Sequence, residues 1–177
     1  MSYKNIKPSE FNENIFDLIG KDWFLMTAES EGVVNPMTVA WATLGILWGK
    51  PVVIVAVRPE RYTHEIASKA DTFSLTVFGK EYRKMLGFCG TKSGRDFDKV
   101  KECDLHVLYQ GETPYFEEAR LSFICKKLCV TSLKEEDFLG NKEFTGKWYG
   151  GENKHDGTGG GYHELFIAEI TDILEKE

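Results

Sequence analysis

Apolar and polar positions alternate with a period of two along much of this 177-residue chain, which predicts a protein built mainly from strands. Runs at Trp23–Ala28, Val33–Ala40, Gly45–Trp48 and Val52–Val57 are separated by Gly32, by Gly49-Lys50-Pro51 and by Arg58-Pro59-Glu60. This is turn punctuation at the spacing of antiparallel neighbours. Further strands are expected over Thr72–Phe78, Leu105–Tyr109, Arg120–Leu133 and Tyr162–Ile173. An antiparallel barrel or sandwich with short helices follows.

Helical spacing is confined to short stretches. Phe11, Ile15, Phe16 and Ile19 form an amphipathic opening, and Thr63 is placed to cap a helix reaching Lys69. Two more helices are predicted over Glu81–Phe88 and Ser93–Lys101, with Gly87 and Gly90 breaking between them. Glu135–Leu139 reads as a helical turn, and the polar, glycine-rich stretch from Gly146 to Gly161 as a surface loop. Within the run at 120–133, Leu121, Phe123 and Cys125 share one parity, whereas Leu128 and Val130 take the other. A change of phase by one residue predicts a β-bulge near Lys126-Lys127.

Charge and composition narrow the function. The net charge is −6 and the basic residues are scattered, which argues against nucleic acid or an anionic membrane as partner. The first eight residues hold no apolar signal core, and no later run approaches the roughly 18 to 20 apolar residues of a membrane span. A single cytoplasmic domain over residues 1–177 is expected. Cys89, Cys103, Cys125 and Cys129 show neither a disulfide framework nor a CxxC pair, so reduced thiols and no metal are expected. Gly157-Thr158-Gly159-Gly160-Gly161 runs into a strand rather than a helix, which removes a dinucleotide fingerprint. No P-loop, HExxH or GxSxG motif is present.

What remains is chemistry suited to an anion beside a flat ring. Cys89-Gly90-Thr91-Lys92-Ser93-Gly94-Arg95-Asp96-Phe97-Asp98-Lys99 crowds hydroxyls and cations around a predicted helix start, and Arg58-Pro59-Glu60-Arg61-Tyr62-Thr63 does the same at a second. Asn35-Pro36-Met37-Thr38-Val39-Ala40-Trp41 offers an extended backbone, with small Ala40 permitting close approach. Plain capping by Thr63 and Ser93, a core role for Tyr62 and a surface role for Arg61 are the competing readings. His163 likewise reads equally as an ordinary half-buried strand histidine.

Taken in order, these motifs, together with Trp48-Gly49-Lys50-Pro51 and Gly161-Tyr162-His163-Glu164-Leu165-Phe166, resemble the flavin reductase-like proteins of the FMN-binding split-barrel fold. The resemblance is strongest to their flavoredoxin-like branch. It implies a Greek-key antiparallel split β-barrel that forms homodimers and binds FMN without covalent attachment near the subunit interface. Thr38, Val39 and Ala40 are implied to meet the ring edge through their backbone, flanked by Met37 and Trp41. Arg58, Tyr62 and Thr63 are implied at the ribityl chain and phosphate, with Ser93 and Lys99 completing the phosphate site and Arg95 a further contributor. His163 is the implied catalytic residue beside the flavin face. Trp148, in the predicted loop, reads either as a core or interface aromatic or as a cover for the flavin of a neighbouring subunit. The activity implied is an NAD(P)H-dependent flavin reductase passing electrons to a flavin, ferric or protein acceptor. Its alternative is a flavoredoxin-type electron carrier without direct NAD(P)H turnover.

Overall fold

In the computed structural model, residues 2–152 and 158–177 are described, so residues 153–157 of the predicted glycine-rich loop lie outside the described residues. The chain begins with β1 (Tyr3–Ile6) and a short helix α1 (Ile15–Asp17) that widens into a π-helical turn over Leu18–Asp22. There follow β2 (Phe24–Ser30), β3 (Val33–Val39), β4 (Ala42–Leu47), β5 (Lys50–Val57), α2 (Tyr62–Lys69) and β6 (Thr72–Val77). The middle of the chain holds α3 (Arg83–Thr91), α4 (Lys99–Glu102) and the pair β7 (Val107–Gln110) and β8 (Thr113–Phe116). The last elements are β9 (Leu121–Ser132), α5 (Lys142–Trp148) and β10 (Glu164–Lys176).

The main sheet runs β3-β2-β6-β9-β10-β5-β4, with every pairing antiparallel. β10 is its axis. One edge of β10 pairs with β9, while the other pairs first with β5 and then, from Ile173 onward, with β1. The strand periodicity explains the core directly. Phe24, Met26 and Ala28, then Val53, Val55 and Val57, then Phe73, Leu75 and Val77 all point inward at alternate positions. Leu121, Phe123 and Cys125 meet Phe166, Ala168 and Ile170 in the same cluster. Each of the larger side chains contributes roughly 1.5 to 3 kcal/mol by leaving water.

The bulge falls where the phase changes. Ala168 pairs with Lys127 and Ile167 with Cys129, so Leu128 is the extra residue. The helical predictions need correction. α3 does not stop at Gly87 or Gly90 but runs through both to Thr91. Gly90 is there because the helix lies against β3: a Cβ at this position would stand 3.3 Å from Thr38 Cβ. The predicted helix over Ser93–Lys101 is instead a turn, in which the Asp96 and Phe97 N–H groups donate to Ser93 O, followed by a helix that starts only at Lys99. Asp98 is its cap, accepting from the Lys101 N–H at 3.1 Å. Arg61, not Thr63, is the cap residue of α2. Among the described residues, no helix is long and apolar enough to cross a membrane.

Candidate functional site

β3 is the terminal strand of the sheet, paired on one side by β2 and open on the other. α3 packs against that open side, and α2 and the turn at 92–99 close around it to leave a cleft of about 580 Å³. That size suits a small-molecule ligand, whose pockets span roughly 300 to 1,000 Å³. Met37, Thr38, Val39, Ala40, Arg58, Tyr62, Thr63, Ser93, Lys99 and His163 all line this one cleft. Residues from six separate stretches of sequence are thus brought together.

One end of the cleft is cationic. Among the described residues, Arg58, Arg61, Lys92 and Lys99 line it against a single carboxylate, Glu60, although the chain as a whole is acidic. Lys99 is only 3% exposed, and its Nζ donates to Pro36 O on β3 at 3.0 Å and to Cys89 O on α3 at 2.9 Å. Burial pulls this ammonium down to about 8; the neighbouring Cys89 thiol opposes the shift and the Arg61 charge adds to it. Arg61 donates to Gly90 O at 2.9 Å, and burial lowers its pKa as well. Both cations are therefore fixed by backbone carbonyls before any ligand arrives.

The start of α2 faces the same end, and no side chain caps it. Thr63 stands in its first turn with its hydroxyl accepting from Asn35 Nδ2 at 2.6 Å. Ser93 accepts from the Arg95 N–H at 3.2 Å, so it organises its own turn rather than a helix. Gly94 leaves room here, since a Cβ would strike Asn35 Oδ1 and the Tyr62 ring. Arg95 is turned outward: it stacks on Tyr62 at 5.0 Å and pairs with Glu65 at 3.1 Å.

The other end is aromatic. His163 is 4% exposed, its Nδ1 lies 3.1 Å from the Tyr149 hydroxyl, and its ring sits 5.0 Å from Trp41. Burial holds His163 down to about 4, with the Arg58 charge adding to the shift and Glu60 opposing it, so the ring is neutral near pH 7. Trp148 meets Trp41 edge-on at 5.3 Å within the same chain. Arg58 ties this wall to the sheet, donating to Trp148 O at 2.9 Å and to Gly161 O at 2.6 Å.

Arg61 and Trp23 also line the cleft. Arg61 lies in the cleft rather than on the open surface, and its motif with Arg58 and Thr63 carries that signal. Trp23 lines the cleft from the turn before β2, with φ of 67° and the Arg83 guanidinium 3.2 Å above its ring. Nothing in its alternating context marked it as more than the start of a strand.

A fold and cleft of this kind define a class. The family model for the flavin reductase like domain matches residues 18–177, and the chain belongs to that family. Its architecture is the split barrel. Flavoredoxin from Methanosarcina acetivorans is similar with a TM-score of 0.66 at 20% identity, over 88% of this chain and 69% of that one. The FMN-binding protein from Thermus thermophilus, with bound p-hydroxybenzaldehyde, gives a TM-score of 0.67 at 18% identity, over 98% and 82% of the two chains. A protein of Aeropyrum pernix is 28% identical over 121 residues, which is 66% of this chain and 45% of that relative's length. The chain therefore spans about half the length of the curated relative it matches.

Proposed function

We propose that the cleft holds FMN without covalent attachment, its phosphate at the cationic end and its ring along Met37, Thr38, Val39 and Ala40. Arg61, Ser93, Lys99 and the first turn of α2, with Tyr62 and Thr63, take the phosphate; Arg58 borders the ribityl chain. The observation that carries this reading is the local reversal of charge: four cations and an uncapped helix start converge in a protein of net charge −6. Charge-assisted hydrogen bonds contribute roughly 1.5 to 3 kcal/mol each, and the helix terminus about 0.3 to 1 kcal/mol more. Family membership and the likeness to an FMN-binding protein support the choice of flavin.

Bound there, FMN supplies the hydride and electron-transfer chemistry that side chains lack. The open edge of β3 provides backbone donors to hold negative charge on the ring as it develops. His163 stays neutral and keeps one orientation through the Tyr149 hydroxyl, so its role is to position a donor rather than to carry a fixed charge. Trp41 and Trp148 keep water from that end.

The activity proposed is NAD(P)H-dependent flavin reduction, with electrons passed on to a flavin, ferric or protein acceptor, by a homodimer of single-domain chains spanning residues 1–177. A carrier role of flavoredoxin type is the second reading. It is favoured by Trp41, which lines the cleft yet is 40% exposed and so presents an aromatic edge at the surface. Anaerobic mixing of the FMN-loaded protein with NADH or NADPH separates the two. Prompt bleaching of the flavin supports the reductase, and no bleaching leaves the carrier.

A further inference from the structure

Beside Gly90, three sulfur atoms meet that the flavin reading does not use. Cys89 Sγ lies 3.9 Å from Met85 Sδ, four residues earlier on the same face of α3, and 3.9 Å from Cys103 Sγ at the C-terminal cap of α4. Cys89 is fully buried, and both cysteines are free thiols. Leu86, Leu105 and Phe116 belong to the same apolar cluster, against which Met85 and Cys103 are packed half-buried.

We propose that Met85, Cys89 and Cys103 form a binding site for one soft monovalent metal ion, of the Cu(I) class. The separations are those the coordination needs. With metal–sulfur bonds of about 2.3 Å, the sulfurs of a trigonal site stand about 4 Å apart, which is the length of both contacts that Cys89 makes. Thiolate and thioether donors select soft ions such as Cu(I), whereas carboxylate and carbonyl sets select hard ones. The His106, Glu117 and Glu118 trio, elsewhere on the surface, is of the harder kind, and its Glu118 is already engaged by the His106 ring and N–H.

Binding changes no oxidation state. Two S–H bonds break, two metal–thiolate bonds form, two protons leave to solvent, and the Met85 thioether joins as a neutral third ligand. The resulting centre carries one negative charge. Lys99 supplies the counter-charge, since its ammonium donates to the carbonyl of Cys89 itself. No CxxC spacing announces the site, because its ligands come from one helical turn and a cap fourteen residues away.

The test is an anaerobic Cu(I) titration of the full chain against a chromophoric Cu(I) chelator, in a Cys129→Ser background that removes the exposed thiol. One Cu(I) per chain should be withdrawn from the chelator. Losing even a supporting partner of a metal ligand costs roughly 10- to 100-fold in affinity, so Cys103→Ser should weaken uptake by about 100-fold or more and the volume-conserving Met85→Leu by about tenfold. Circular dichroism and melting curves should show both variants folded. The site is overturned if the Cys129→Ser protein leaves the ion on the chelator, if both variants compete as well as it does, or if thiol counting finds a Cys89–Cys103 disulfide in place of uptake.

Discussion

At one end of the cleft, Arg61 and Lys99 place charge against the carbonyls of Gly90, Pro36 and Cys89; at the other, Trp41, Trp148, Tyr149 and His163 place rings against rings. The first arrangement is rigid because it bridges β3 and α3, elements anchored in the sheet and its packing. Its donors are oriented before a ligand binds, which lowers the ordering cost of binding an anion. The second joins the segment around α5, with Trp148 and Tyr149, to Trp41 and His163 beside the sheet through Arg58 and ring contacts of about 0.5 to 1.5 kcal/mol each. The proposed FMN site therefore concentrates affinity in the cationic end and control of access in the aromatic one.

Substitutions that act on one end alone break that division most sharply. Lys99→Met should weaken FMN on the order of 100-fold while moving riboflavin by only about threefold, measured by flavin fluorescence titration. Arg61→Gln should act in the same direction by roughly 10- to 100-fold.

The aromatic end is expected to respond to acid rather than to phosphate. His163 is held near 4 in the fold against an ordinary value of 6.5. Its neutral form therefore supports the fold fully above 6.5, and that support is lost as pH falls toward about 4, because the unfolded chain binds the proton first. Urea melts at pH 7 and pH 4.5 should show His163→Gln losing about 2 to 3 kcal/mol less than the parent over that interval.

Smaller effects sharpen the boundary between the ends. Thr63→Val removes the acceptor for buried Asn35 and should cost about 1 to 2 kcal/mol in thermal melts. Trp148→Leu should cost about 1 kcal/mol through the lost Trp41 contact and leave the ratio of FMN to riboflavin affinity unchanged.

The two ends also differ in how far the sequence reveals them. Strand alternation exposed most of the sheet, and even the bulge at Leu128 could be read from a change of phase. The residues of the cationic end were legible because hydroxyls and cations cluster within short motifs. Their local geometry was not: glycine normally ends a helix, yet Gly90 sits inside α3 because Thr38 presses against it from β3. That is a tertiary demand invisible in the local pattern. The aromatic end was harder still. α5 shows only Phe144 and Trp148 at helical spacing amid polar neighbours, and it is positioned by Arg58, which donates to Trp148 O from ninety residues earlier in the chain. β1 and β8 carry no local signal for the same kind of reason, since each is four residues long and is defined by its partner strand.

The most direct test of the account is the affinity of the unmodified protein for FMN and for riboflavin, ligands that differ only in the phosphate. FMN should bind about 100-fold or more tightly than riboflavin, as two or more charge-assisted contacts require. Equal affinities would contradict the assignment of Arg61, Ser93, Lys99 and the start of α2 to a phosphate.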